Sequence, residues 1–353
     1  MANAAGPDTV PAQARLTTAA PHAAPVVAAL DIGGTKMAAA IVETAGRRLH
    51  RALRPTPADG SPARLAATLS DLIDELRTSA WWPAVSAVGI GSTGPVDTCT
   101  GTITPVNIPG WQAYPIAAEV SRMTAGLPAR LAGDAVTMAQ GEQWLGAARG
   151  ADNALCMVVS TGVGGGLILG NEIHTPTTGN AGHIGHISVD MNGDVCVCGA
   201  RGCVETIASG PAILRHALAR GRRPPQGRAP TTQAVAAAAA AGEGTALAVF
   251  DRAGRALAAA IAATAHLLEL DLAVIGGGVA QAGRILFDPV RAHLADYATL
   301  AFASSLKVRP ALLAQDAGLV GAAAAAFACQ DPKKRTPGLA PGSPRPHSPM
   351  RPC

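Results

Sequence analysis

Short apolar runs ending in glycine alternate along this chain with longer stretches in which Leu, Ile and Ala recur every three or four residues. Residues 26–30 and 37–42 read as two strands joined by the tight turn Asp31-Ile32-Gly33-Gly34-Thr35-Lys36. Helical spacing follows in residues 65–77, where Leu65, Leu69, Leu72, Ile73 and Leu76 share one face. A buried strand over 85–90 stops at Gly91-Ser92-Thr93-Gly94-Pro95, and a helix begins at Asp134 and runs to about Ala148. Residues 155–160 form a strand that meets Thr161-Gly162-Val163-Gly164-Gly165-Gly166, read as a turn, before a further strand at 167–169. Ala-rich helices over 231–242 and 246–268 precede a strand at 272–275 and a third cluster, Gly276-Gly277-Gly278. Strand, glycine turn and strand thus recur about 130 residues apart, which predicts two similar halves of α/β type.

The ends differ in kind. Residues 1–25 are rich in Ala and Pro, and 331–353 carry proline at 332, 337, 341, 344, 346, 349 and 352, so both read as disordered tails. Asp8, Gln13 and Arg15 interrupt the first where a signal peptide needs an apolar run. The second holds five basic residues against Asp331, which accounts for the whole net charge of +4. The body is therefore near neutral, and with aromatics at 3% it lacks the basic, stacking surface that nucleic acid requires. No run of about 18 apolar residues is free of charges or turn signals, so no membrane span is expected.

Two of the turns suit phosphate. Glycine after a buried strand lets backbone N–H groups approach anionic oxygens. Asp31, Gly33, Gly34, Thr35 and Lys36 add a carboxylate able to hold Mg²⁺ through water, a hydroxyl and a cation; Thr161, Gly162, Gly164 and Gly165 repeat the logic with Thr161 as donor. Neither has the Walker order, and either alone is equally well a plain tight turn.

The cysteines point to metal. His186, Cys196, Cys198 and Cys203 place one imidazole and three thiols within 18 residues, with Gly199 and Gly202 to turn the chain, a closed set for structural Zn²⁺. The alternative is buried free cysteines beside an unrelated histidine. Seven cysteines so arranged fit a reducing compartment, hence the cytoplasm.

Asp134 is the candidate general base, following the apolar pair Leu131-Ala132 and opening a helix whose positive end favours its ionised form. It reads equally as a helix N-cap.

The turn at 31–36, the run Ser160–Gly166 and the His-x₉-Cys-x-Cys-x₄-Cys spacing together resemble the ROK family of repressors, open reading frames and sugar kinases, over about residues 26–327. That resemblance implies an actin-like (RNase H-like) ATPase fold of two lobes with an interlobe cleft. The small lobe would span 26–133 plus a last helix near 317–329, and the large lobe 134–316 with the zinc loop. It further implies ATP and Mg²⁺ at both glycine turns, adenosine near Gly276, Gly277 and Gly278, and a homodimer. Asn107, His183, His186 and Glu205 match the family's sugar-binding positions, although Asn107 before Ile108-Pro109 can be an Asx-turn and Glu205 a solvated charge at a helix start.

Two departures bear on substrate. The family carries its base in an Asn-Asp pair, and here Gly133 replaces the Asn. Glucokinase-like members usually have Glu where this chain has His183, whereas bacterial N-acetylmannosamine kinases resemble it in having His. The expected activity is transfer of a phosphoryl group from ATP to a hexose or amino-hexose, at the 6-hydroxyl. Plain glucose, N-acetylmannosamine and a free amino-hexose remain open as acceptors, and a non-catalytic sugar-binding or regulatory protein is the rival of another class. The repressor members place a helix-turn-helix module ahead of the first turn, and the 30 residues before Asp31 show no two helical periods.

Overall fold

The computed structural model describes residues 24–58, 60–176, 178–223 and 229–329, so the expected tails lie outside it except for residues 24 and 25. Val26–Ile32 (β1), Lys36–Glu43 (β2) and Arg48–Pro55 (β3) form an antiparallel ribbon. After Pro62–Arg77 (α1), Val85–Ser92 (β4) pairs parallel with β1. The hairpin of Val96–Asp97 (β5) and Thr102–Ile103 (β6), then Ile116–Met123 (α2), lead to Ala129–Gly133 (β7), parallel to β4. The sheet order is β3-β2-β1-β4-β7.

The second half repeats this plan. Asp134–Leu145 (α3) precedes the antiparallel ribbon Ala154–Val159 (β8), Val163–Leu169 (β9) and Glu172–Ile173 (β10). Glu205–Ala208 (α4), Gly210–Ala219 (α5), Thr232–Ala240 (α6) and Gly244–Leu268 (α7) come next. Leu272–Gly276 (β11), Arg284–Tyr297 (α8) and Lys307–Pro310 (β12) complete a sheet of order β10-β9-β8-β11-β12 whose last two strands are again parallel. Ala317–Ala328 (α9) then returns to the first sheet.

Each sheet is covered by helices, which is why β1, β2, β4, β8 and β11 are apolar on both faces. The five apolar residues read as one helical face in 65–77 are all buried against the first sheet. Helix α9 is apolar all round because it lies between that sheet and α3. Close packing there needs glycine: a Cβ at Gly321 would stand 1.5 Å from the carbonyl oxygen of Thr137 on α3.

Two boundaries depart from the sequence expectation. Gly164, Gly165 and Gly166 belong to strand β9, not to a turn, and the turn is confined to residues 160–162. The strand is glycine-rich because α3 lies on it, and a Cβ at Gly166 would come 2.6 Å from the carbonyl oxygen of Ala135. Helix α3 ends at Leu145, not at 148. The buried carboxylate of Glu142 terminates it by accepting from Ala147 N–H at 2.7 Å. Among the described residues no single helix is long and apolar enough to cross a membrane.

Candidate active site

The chain arrives at Asp134 from β7, the outer parallel strand of the first sheet, and leaves through α3 toward the second. Asp134 is the first residue of α3, while Gly133 occupies the cap position with extended backbone. Its Oδ1 accepts from Ala135 N–H at 2.7 Å, so one carboxylate oxygen serves the helix start. The side chain is open to water at the floor of a cleft, yet protein surrounds it. Lost solvation there raises its pKa above the usual carboxylate value, and the Ala135 hydrogen bond offsets part of the rise.

Gly94 and Val96 from the first sheet's side line this pocket, facing Gly164, Gly165 and residues 179–183 from the second. His183 shares the pocket with Asp134, and burial lowers its pKa, helped by the neighbouring His186 ring. Glu205 is close enough for its charge to oppose that shift. Its carboxylate is turned toward the other glycine turn, where Oε2 accepts from Val163 N–H at 2.9 Å. Asn107 is exposed and packs against Gly34, outside the residues that line the Asp134 pocket.

Asp31, next to last in β1, lies beside the N-terminus of α9, where a Cβ on Gly318 would meet its carboxylate at 2.7 Å. Burial foremost, and then the charge of Asp134, push Asp31 up to about 6, against the pull of Lys36. Within the turn Gly33 N–H is consumed by the carbonyl of Lys36, and Thr56 Oγ1 donates to the carbonyl of Gly33 at 2.6 Å. Gly34 and Thr35 are left facing solvent. Lys36 Nζ donates to Gln315 Oε1 at 3.1 Å, joining this turn to the approach to α9.

On the second sheet a cavity of about 490 Å³ opens beside Ser160 and Thr161. Thr232, Gln233, Ala236, Gly278, Val279 and Gln281 furnish apolar walls with a few polar groups, the make-up of a small-molecule site. Of the third glycine cluster only Gly278 lines it. Gly276 is buried beside Met138 and Ala311, and Gly277, at φ +92°, backs onto Val159.

His186, Cys196, Cys198 and Cys203 bring their donor atoms within 4.8 Å of one another. His186 Nδ1 is 3.7 Å from Cys196 Sγ, and the Sγ atoms of Cys198 and Cys203 are also 3.7 Å apart. Donors at zinc bond lengths of about 2.0–2.3 Å stand roughly 3.5–3.8 Å apart in a tetrahedron, so the set fits this metal. Burial and the adjacent thiols push Cys203 up to about 12, while the Ala200 backbone N–H draws the exposed Cys198 below its usual value.

The profile of the ROK family matches residues 27–328. The chain belongs to the ROK family. Within it, this member is 32% identical over 304 residues to a protein named glucokinase from Thermotoga maritima, covering 83% of this chain and 95% of that one. It is 38% identical over 296 residues to an N-acetylmannosamine kinase of Yersinia pseudotuberculosis, covering 84% and 96%. A ROK family glucokinase from Streptomyces griseus, solved with glucose and AMPPNP, superposes on this ROK protein with a TM-score of 0.74 at 32% identity, covering 86% and 99%. The actin-like fold of ROK kinases is thus the fold of this chain.

Several lining residues carried no signal in the sequence. Thr232, Gln233 and Gln281 come from segments brought together only by the second sheet's helices, and Val96 from a strand two residues long. Asn180 stands three residues before His183, and that proximity was the one available clue.

Proposed function

We propose that this ROK protein transfers the terminal phosphoryl group of ATP to the 6-hydroxyl of a hexose or amino-hexose, with Asp134 as general base. The observation that carries this reading is the placement of Asp134. It sits at the floor of a pocket with His183 and is electrostatically coupled to Asp31 on the glycine turn. Phosphoryl transfer needs an acceptor hydroxyl held in line with the phosphate and a carboxylate to take its proton, with little covalent help. Backbone N–H groups at the helix start, Ala135's above all, hold the Asp134 carboxylate in place, and its exposed side faces the pocket where the hydroxyl would lie.

In this reading the backbone of Gly34, the hydroxyl of Thr35 and the turn at Thr161 and Gly162 receive the phosphates. The adenosine lies against Gly278 and Val279 opposite Thr232 and Gln233. Mg²⁺, when bound, neutralises phosphate charge, and Asp31 is the carboxylate that would hold it through water. The zinc ligands fix the loop that carries His183 and Glu205. A reaction fed by ATP and a thiol-rich metal loop both suit the cytoplasm.

His183 supports an amino- or acylamino-sugar. An imidazole can donate as well as accept where a carboxylate only accepts. Coupled ATP consumption with Mg²⁺ across glucose, mannose, glucosamine, N-acetylglucosamine and N-acetylmannosamine tests the reading, with the product's phosphate position read by NMR. Turnover on at least one is expected, strongest on an amino- or acylamino-sugar. Silence on all five would remove the proposal, and a clear preference for glucose would remove the role given to His183.

A further inference from the structure

The pocket around Asp134 is lined on one side by residues 179–183, a segment that rests on the second sheet at one end. At Gly182, φ +84°, the chain lies on the backbone of β9, with the carbonyl oxygen of Gly165 2.2 Å from where a Cβ would stand. Away from that anchor, the segment touches the opposite side of the cleft. Asn180 Nδ2 donates to the carbonyl of Val96 at 2.7 Å, and Val96 N–H donates to Asn180 Oδ1 at 3.3 Å. Thr98 N–H also donates to the carbonyl of Thr178 at 3.3 Å.

Val96 is the first residue of β5, and its side chain is buried in the core of the first sheet. Its partner across the hairpin is Ile103, so its outward N–H and C=O would otherwise be an open strand edge. The Asn180 carboxamide satisfies both, as a neighbouring strand would. Because one backbone group donates and the other accepts, they also fix which way the amide points. The pair of bonds spans the two halves beside the base, and both Asn180 and Val96 line the pocket.

We propose that Asn180 is a positioning residue that pins the His183 segment to the β5 edge, holding the sugar pocket closed over Asp134. The inference rests on the sugar-kinase reading and deepens it. Sugar entry breaks the pin and its reformation commits the acceptor, so losing it weakens sugar binding and admits water to the phosphoryl group.

Two variants test this: Asn180→Ala removes both bonds, and Asn180→Asp keeps the shape and one acceptor but sets a carboxylate against the Val96 carbonyl. Hydrogen exchange of the Val96 amide in the ligand-free protein reads the pin without any activity. Exchange should quicken about tenfold in Asn180→Ala, the order expected for two neutral hydrogen bonds. In both variants sugar KM should rise about tenfold with kcat changed less than threefold, and ATP hydrolysis uncoupled from sugar phosphate should increase. Unchanged exchange in Asn180→Ala overturns the pin, and quickened exchange with unaltered sugar KM and coupling overturns its role. Were the wild type to phosphorylate no sugar, the kinase reading would fall while the exchange result still judged the pin.

Discussion

The negative charge of Asp134, at the start of α3, helps to keep the carboxyl of Asp31, near the end of β1, protonated up to about pH 6. Two carboxylates at one cleft, both desolvated by the protein packed round them, ionise reluctantly, so the groups that must be ionised for transfer limit turnover in mild acid. Asp31, which must be ionised to hold Mg²⁺ in the proposed reaction and is raised to about 6, sets the position of the fall: kcat/KM for sugar should drop as pH falls through about 6 and be level above 7. A profile that stays flat down to pH 4.5 would show that neither carboxylate is raised in the free enzyme.

Asp31→Asn should stabilise the ligand-free protein at pH 7.5 while abolishing turnover. A carboxyl whose pKa is raised on folding favours the folded state only while protonated, and that advantage is lost as pH rises through about 6. The amide avoids the loss, so its advantage in thermal midpoint should vanish near pH 4, where the wild-type group is protonated too. Equal midpoints at pH 7.5 would contradict the burial given to Asp31.

Glu142 is fully buried and accepts from Ala147 N–H at 2.7 Å, Leu313 N–H at 2.9 Å and Leu312 N–H at 3.2 Å. It thereby ties the end of α3 to the segment that leads from β12 into α9. Glu142→Ala should cost about 3 kcal/mol in urea unfolding, since it orphans three backbone donors. A loss under about 1 kcal/mol would mean that water replaces the carboxylate at no cost.

Where the sequence was legible, the reason was burial on both faces. Strands β1, β2, β4, β8 and β11 and the apolar face of α1 announced themselves because their inward positions are almost all apolar. The edge strands did not. In β3, Arg48, Arg51 and Arg54 interrupt the run because one side of an edge strand meets solvent and, here, Asp316 and Glu75. Gly164 to Gly166 misled for a related reason: in sequence a glycine needed for close packing is indistinguishable from one needed for a turn. The metal set was legible because its four ligands fall within one loop. The Asn180 pin was not, since half of it is the backbone of Val96, 84 residues away.

Metal analysis should give about one zinc per chain, held by His186, Cys196, Cys198 and Cys203. Cys198→Ser, at the exposed ligand, should lower zinc content and raise sugar KM more than it lowers kcat, because the loop carrying His183 and Glu205 loosens. A zinc-free preparation with unaltered sugar kinetics would contradict the site.

Asp134→Asn, assayed for phosphoryl transfer and titrated with sugar by calorimetry, addresses the base directly. The expected result is a kcat lower by about 10³ or more with sugar affinity within a few-fold of wild type. A variant that keeps a tenth or more of wild-type kcat would return Asp134 to the role of a helix-start residue.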